Sequence, residues 1–153
     1  MSRILMVANK PSENTARLWD AARRGLIHPD VEGPGADCFE PLDATPQHLL
    51  EARAVLIGTT ENFGYMSGLV KDFFERTYYT CEGQTEGMPY AVYIRAGRDG
   101  TGTVRAITGI CQGMGWRPVQ EPLLLHGEWR ESFCEEVETL GMTLAAGVSA
   151  GLY

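Results

Sequence analysis

No apolar run in this 153-residue chain approaches the roughly 18 residues needed to cross a bilayer, so no membrane span is expected. The opening Met1-Ser2-Arg3 followed by Ile4 to Ala8 is too short for a secretory leader, which makes a cytoplasmic location the expectation. Basic residues are scarce: 13 Lys and Arg stand against 20 Asp and Glu, a formal net charge of −7, and no segment gathers the cations into a stripe. Nucleic acid and anionic membranes are therefore not expected partners, because both are held by neutralising phosphates. The four cysteines, Cys38, Cys81, Cys111 and Cys134, show no C-x-x-C spacing, and His28, His48 and His126 form no H-E-x-x-H. Zinc sites and dithiol redox pairs need closer ligands, so free thiols and no metal are expected. Gly64-Tyr65-Met66-Ser67-Gly68 misses the G-x-S-x-G nucleophile elbow by one position, which leaves Ser67 to the first turn of a helix. Repeats and low-complexity segments are also missing.

What is present is alternation. Ile4 to Ala8 and Ala54 to Gly58 are continuous apolar runs, the pattern of strands covered on both faces. Asp37 to Glu40, Tyr90 to Arg95 and a segment within Val119 to Leu125 are three further strand candidates. Between them, apolar residues recur at helical spacing: Thr15, Leu18, Trp19, Ala22 and Leu26; Met66, Leu69, Val70, Phe73, Phe74 and Thr77; Val104, Ile107, Cys111 and Met114; Phe133, Val137, Leu140, Leu144 and Val148. A short helix is predicted over Gln47 to Arg53. Five strands alternating with helices imply one α/β domain over residues 1–153, with a parallel sheet covered by helices on both faces.

In such sheets ligands bind beyond the carboxyl ends of the strands, and three loops there have unusual composition. Asn9 to Thr15 opens directly into a helix, where small hydroxyl and amide side chains beside unpaired N–H groups suit an anion such as phosphate. The same residues also read as a plain helix cap, with Ser12 capping and Glu13 complementing the dipole. Thr59 to Met66 offers polar groups, two aromatics and a glycine, enough to hold the edge of a flat heterocycle and cover its face, or simply to plug the core. Arg95 to Gly102 contains three glycines and two arginines, yet Arg105 stands where the last glycine of G-x-G-x-x-G belongs. His126, ending the last strand, reads as a loop histidine or a general acid/base. No catalytic side chain is assigned.

Ser12-Glu13-Asn14-Thr15 matches the pattern S/T-G-N-T at three of four places, and Gly58 to Met66 is similar to G-T-P-x-x-F-G-x-M. On these motifs the chain resembles the flavodoxin superfamily, and within it the NAD(P)H-dependent FMN reductase and NAD(P)H:quinone oxidoreductase branch. The resemblance implies a flavodoxin-like three-layer sandwich with a five-stranded parallel sheet in the order 2-1-3-4-5. It implies FMN as cofactor, with Ser12, Asn14 and Thr15 around the phosphate. Thr60, Glu61, Asn62, Phe63 and Gly64 would line the ring, and Ala96, Gly97, Arg98, Asp99 and Gly100 its other edge. NAD(P)H would be the donor and a quinone, free flavin or similar small molecule the acceptor. An electron-carrier flavodoxin, or a flavodoxin-like module that has lost FMN, are the alternatives. Arg95 and Arg98, if they reach inward, favour the reductase. Two departures stand out: Glu13 replaces the usual glycine, and Thr60 the usual proline. A homodimer is a further option, with Tyr78 to Pro89 either completing a site across the interface or forming a solvent-facing connection.

Overall fold

The computed structural model describes residues 2–153. Ile4–Ala8 (β1) is buried at all five positions, as its unbroken apolar run requires. Ser12 then starts Glu13–Leu26 (α1) with a reciprocal cap: its hydroxyl accepts from the Thr15 N–H at 3.2 Å, and Thr15 Oγ1 accepts from the Ser12 N–H at 2.8 Å. Ala36–Phe39 (β2) begins one residue earlier than the sequence suggests and stops before Glu40, because Pro41 opens a short 3-10 turn. Thr45 and Pro46 start Pro46–Leu50 (α2). That helix ends short of Arg53, whose N–H instead donates to Arg3 O at 2.9 Å and leads the chain into the next strand.

Ala54–Asn62 (β3) and Tyr65–Met66 (β4) precede Gly68–Cys81 (α3). Pro89–Ala96 (β5), Thr101–Gly113 (α4), Arg117–Pro118 (β6), Leu123–His126 (β7) and Ser132–Ser149 (α5) complete the chain. Val70, Phe73, Phe74 and Thr77 form the buried face of α3, but Leu69 is 43% exposed and Met66 lies outside the helix, in β4. Met66 is still buried in the same core, so its helical spacing in the sequence was coincidental.

The sheet runs β2-β1-β3-β5 with β6 and β7 both beside β5, and every pairing is parallel except β3–β4. This is the expected 2-1-3-4-5 order, with the fifth strand broken in two. Two residues separate Tyr90 from Tyr93, while four separate their partners Pro118 and Leu123. The chain bulges between them, at an edge where Pro118 and Pro122 sacrifice no ladder bond in the sheet interior. Alternation along the strands sends Val55, Ile57, Val92 and Ile94 to the side of α2, α3 and α4. Met6, Leu56 and Tyr93 face the opposite side, under α1 and α5. Those two helices meet backbone to backbone: a Cβ on Gly25 would fall 2.1 Å from the Glu138 carbonyl oxygen.

Candidate functional site

The polar segment after Gly58 is a hairpin rather than an irregular loop. β3 runs on to Asn62, turns through Phe63 (φ 54°) and Gly64 (φ 75°), and returns as β4 with Asn62 opposite Tyr65. A two-residue turn with both φ positive is the type I′ hairpin turn. Gly64 adopts this freely, whereas a residue with a Cβ is disfavoured there by about 1–2 kcal/mol. Phe63 recovers nothing by burial, because its side chain is fully exposed.

Because the segment is a strand, its side chains alternate. Thr60 faces the first loop, where the buried Asn9 accepts from the Thr60 N–H at 3.2 Å and donates to Thr60 Oγ1 at 3.3 Å. Thr60 Oγ1 in turn donates to Asn62 Oδ1 at 3.1 Å. Glu61 faces α4: its carboxylate accepts from the Gly100 N–H at 3.3 Å and from Thr103 Oγ1 at 3.1 Å. Behind the hairpin, Gly58 is small because Tyr93 lies across it, where a Cβ would meet the ring at 2.3 Å. The buried Tyr93 hydroxyl has no hydrogen-bond partner among the described residues, and burial raises its pKa.

Glu61, Phe63 and Gly64 form one wall of an open cleft of about 610 Å³, and Gly97, Arg98 and Asp99 form the other. This volume lies within the range of small-molecule sites. Asp99 accepts from Thr101 Oγ1. Ala96 points into the core and Gly100 sits behind the wall, at the start of α4. Thr60 and Asn62 lie on the side toward the first loop. There Ser12 and Asn14 are exposed, Thr15 is buried, and the Ser12 and Thr15 hydroxyls are 2.9 Å apart. The Glu13 and Asn14 N–H groups open α1, one turn too early for intrahelical partners. The Glu13 side chain is exposed.

The two arginines expected to act together are separated. Arg95 Nη1 donates to Ala96 O at 2.7 Å and Leu125 O at 3.1 Å. Its guanidinium lies over the Phe133 ring at 5.2 Å, and burial lowers its pKa. Only Arg98 lines the cleft. Beside Arg95, Glu131 pairs with Arg17 and accepts from Trp129 Nε1 at 3.1 Å, which together hold its carboxyl down to about 2. His126 is exposed at the end of β7, and Tyr79 stands out at 83% exposure near the end of α3. Sequence reasoning counted Asn9 in the first loop without assigning it a partner and missed Thr103; these two join the loops. A polar residue directly after five buried strand positions was the available signal for Asn9; Thr103 gave none. Among the described residues no helix is long and apolar enough to cross a membrane.

No known family profile matches the sequence, and no curated protein matches it. Solved structures do. A flavodoxin from the domain Archaea superposes with a TM-score of 0.81 at 20% identity, over 95% of this chain and 98% of its own. The fold is flavodoxin-like. A flavodoxin, WrbA-like protein from Agrobacterium tumefaciens gives 0.71 at 15% identity over 99% of both chains. Rubredoxin oxygen:oxidoreductase from the anaerobe Desulfovibrio gigas gives 0.81 at 13%, over 99% of this chain but 37% of that protein. In this flavodoxin-like sheet the order reverses between β1 and β3, and the cleft and the start of α1 lie at the carboxyl ends of β1, β3 and β5. Open α/β sheets bind ligands at that crevice, a rule for which flavodoxin is itself a reference case.

Proposed function

We propose that the protein is an FMN-binding redox protein. The observation that supports this best is Phe63, an aromatic held at φ 54° and fully exposed on the lip of the cleft. Backbone strain of this kind collects at ligand clamps, and here the ring would cover a bound flavin. The chain's groups fit FMN on two further counts. The cleft presents an aromatic and backbone-rich glycine walls suited to a flat heterocycle. The Glu13 and Asn14 N–H groups, with Ser12 Oγ, would receive the phosphate at the positive end of α1. The exposed Glu13 carboxylate is free to stay in water, which removes most of its repulsion. Bound FMN would supply hydride and electron transfer, and the protein would position it and tune its electronics.

The test is titration with FMN, followed by quenching of flavin fluorescence, with riboflavin as the phosphate-free control. Saturable binding of one FMN per chain, tighter than riboflavin, is the expected result. No binding at tens of micromolar by a folded protein refutes the proposal and leaves a flavodoxin-like module without FMN.

Within this reading, NAD(P)H-dependent reduction of a quinone or free flavin is the first assignment, supported by Arg98 in the cleft wall. A cation there favours the anionic reduced form of a flavin. Electron carriage between proteins is the second, and a specific observation favours it: Arg95 is taken up by two carbonyls, so the cleft holds one arginine rather than two. Mixing loaded protein with NADPH or NADH and a quinone separates them. Pyridine-nucleotide oxidation supports the reductase, and its absence supports the carrier.

A further inference from the structure

We infer that Glu61, in the wall of the cleft, is a positioning residue that sets the width of the cleft by clasping α4. The inference rests on the flavin reading for its ligand, though not for the clasp itself. α4 has no cap of its own: Gly100 occupies the cap position at φ 79°, where a side chain is disfavoured, and makes no side-chain cap bond. The first N–H groups of any helix lack intrahelical partners. Glu61 arrives from β3, 39 residues earlier, and accepts from the Gly100 N–H with one oxygen and from the Thr103 hydroxyl with the other. Its negative charge also sits at the positive end of the helix.

Two close approaches make the clasp rigid. A Cβ on Gly102 would fall 2.4 Å from the Gly64 carbonyl oxygen, so the hairpin tip rests directly on the first turn of α4. A Cβ on Gly100 would fall 2.3 Å from Leu124 Cδ1, which fixes that turn against β7. Phe63 and Gly64 on one wall, and Gly97 to Asp99 on the other, are thereby joined at their base by Glu61. Loosening the clasp lets the walls separate.

Two substitutions test this. Glu61→Met keeps the length of the side chain and removes both acceptor oxygens. Thr103→Val removes the partner hydroxyl from a buried residue that does not line the cleft. Each should weaken FMN and riboflavin by the same factor, about tenfold. The double variant should be no weaker than the worse single one, because both groups act through one contact. In the ligand-free protein, hydrogen exchange at the Gly100 amide should accelerate in both variants. If Glu61→Met weakens binding and Thr103→Val does not, or if the two losses multiply, Glu61 acts on the ring directly and the inference fails. Unchanged exchange at Gly100 also overturns it. Should Glu61→Met not fold, Thr103→Val decides alone, and unaltered flavin affinity overturns the inference. If exchange behaves as expected but no variant and not even the parent protein binds flavin, the clasp is upheld and the flavin reading is the part that fails.

Discussion

Replacing Phe63 with asparagine should stabilise the ligand-free protein and weaken its grip on FMN, two effects of opposite sign from one side chain. Phe63 occupies the first central position of the turn at φ 54°. Asparagine tolerates the left-handed region through local hydrogen bonding, so the change should relieve about 1 kcal/mol of the strain. Nothing is lost by unburying the ring, since it is already fully exposed. For a chain of this size, 1 kcal/mol raises the melting temperature by about 2–4 °C. If the ring covers bound flavin, its removal forfeits an aromatic contact worth about 0.5–1.5 kcal/mol, a two- to tenfold loss of affinity. Thermal unfolding followed by circular dichroism measures the first effect and fluorescence titration the second. Phe63→Ala is the control: alanine keeps the strain, so it should weaken binding without raising the melting temperature. A lower melting temperature for Phe63→Asn would mean the turn is not held as described. An unchanged FMN dissociation constant would remove Phe63 from the site.

Glu13→Gly should tighten FMN binding by less than about fivefold, because an exposed carboxylate interacts across water, where the Coulomb term is about 1 kcal/mol even at 4 Å; a larger gain would place the charge at the phosphate. Arg95→Gln should cost about 1–2 kcal/mol of stability in denaturant unfolding by uncapping the Ala96 and Leu125 carbonyls. Arg98→Gln should instead leave stability nearly unchanged and raise the KM for an anionic donor or acceptor, and a reversal of these two patterns would show that Arg95 is the residue in the cleft. Gly58→Ala should destabilise by about 1–3 kcal/mol in thermal unfolding, since its methyl would meet the Tyr93 ring at 2.3 Å.

The order of elements and the two-sided burial of the sheet were legible in the amino-acid sequence. Five consecutive apolar residues at Ile4–Ala8 and again at Ala54–Gly58 leave no polar face for water, so each strand had to lie between helix layers. The capping residues Ser12 and Thr45 likewise act within a few positions of where they stand, and local rules suffice to read them. Strand pairing acts at long range. That Thr60 to Asn62 continue a strand follows from Arg95 lying opposite Thr60 and Met66 opposite Glu61, and nothing local in a run of polar residues announces either partner. Once the segment is a strand, alternation turns Thr60 to Asn9 and Glu61 to α4, which separates two residues that a loop reading groups together. The break between β6 and β7 is of the same kind, because a bulge is defined only against the strand it fails to match. Arg95 looked equivalent to Arg98 in a glycine-rich run. Its position on β5 directs it under α5 to two carbonyls, while Arg98, past the strand's end, is left at the cleft. Residue type and spacing therefore identified which loops gather at the sheet edge, and only the pairing register decided which way each side chain on them points.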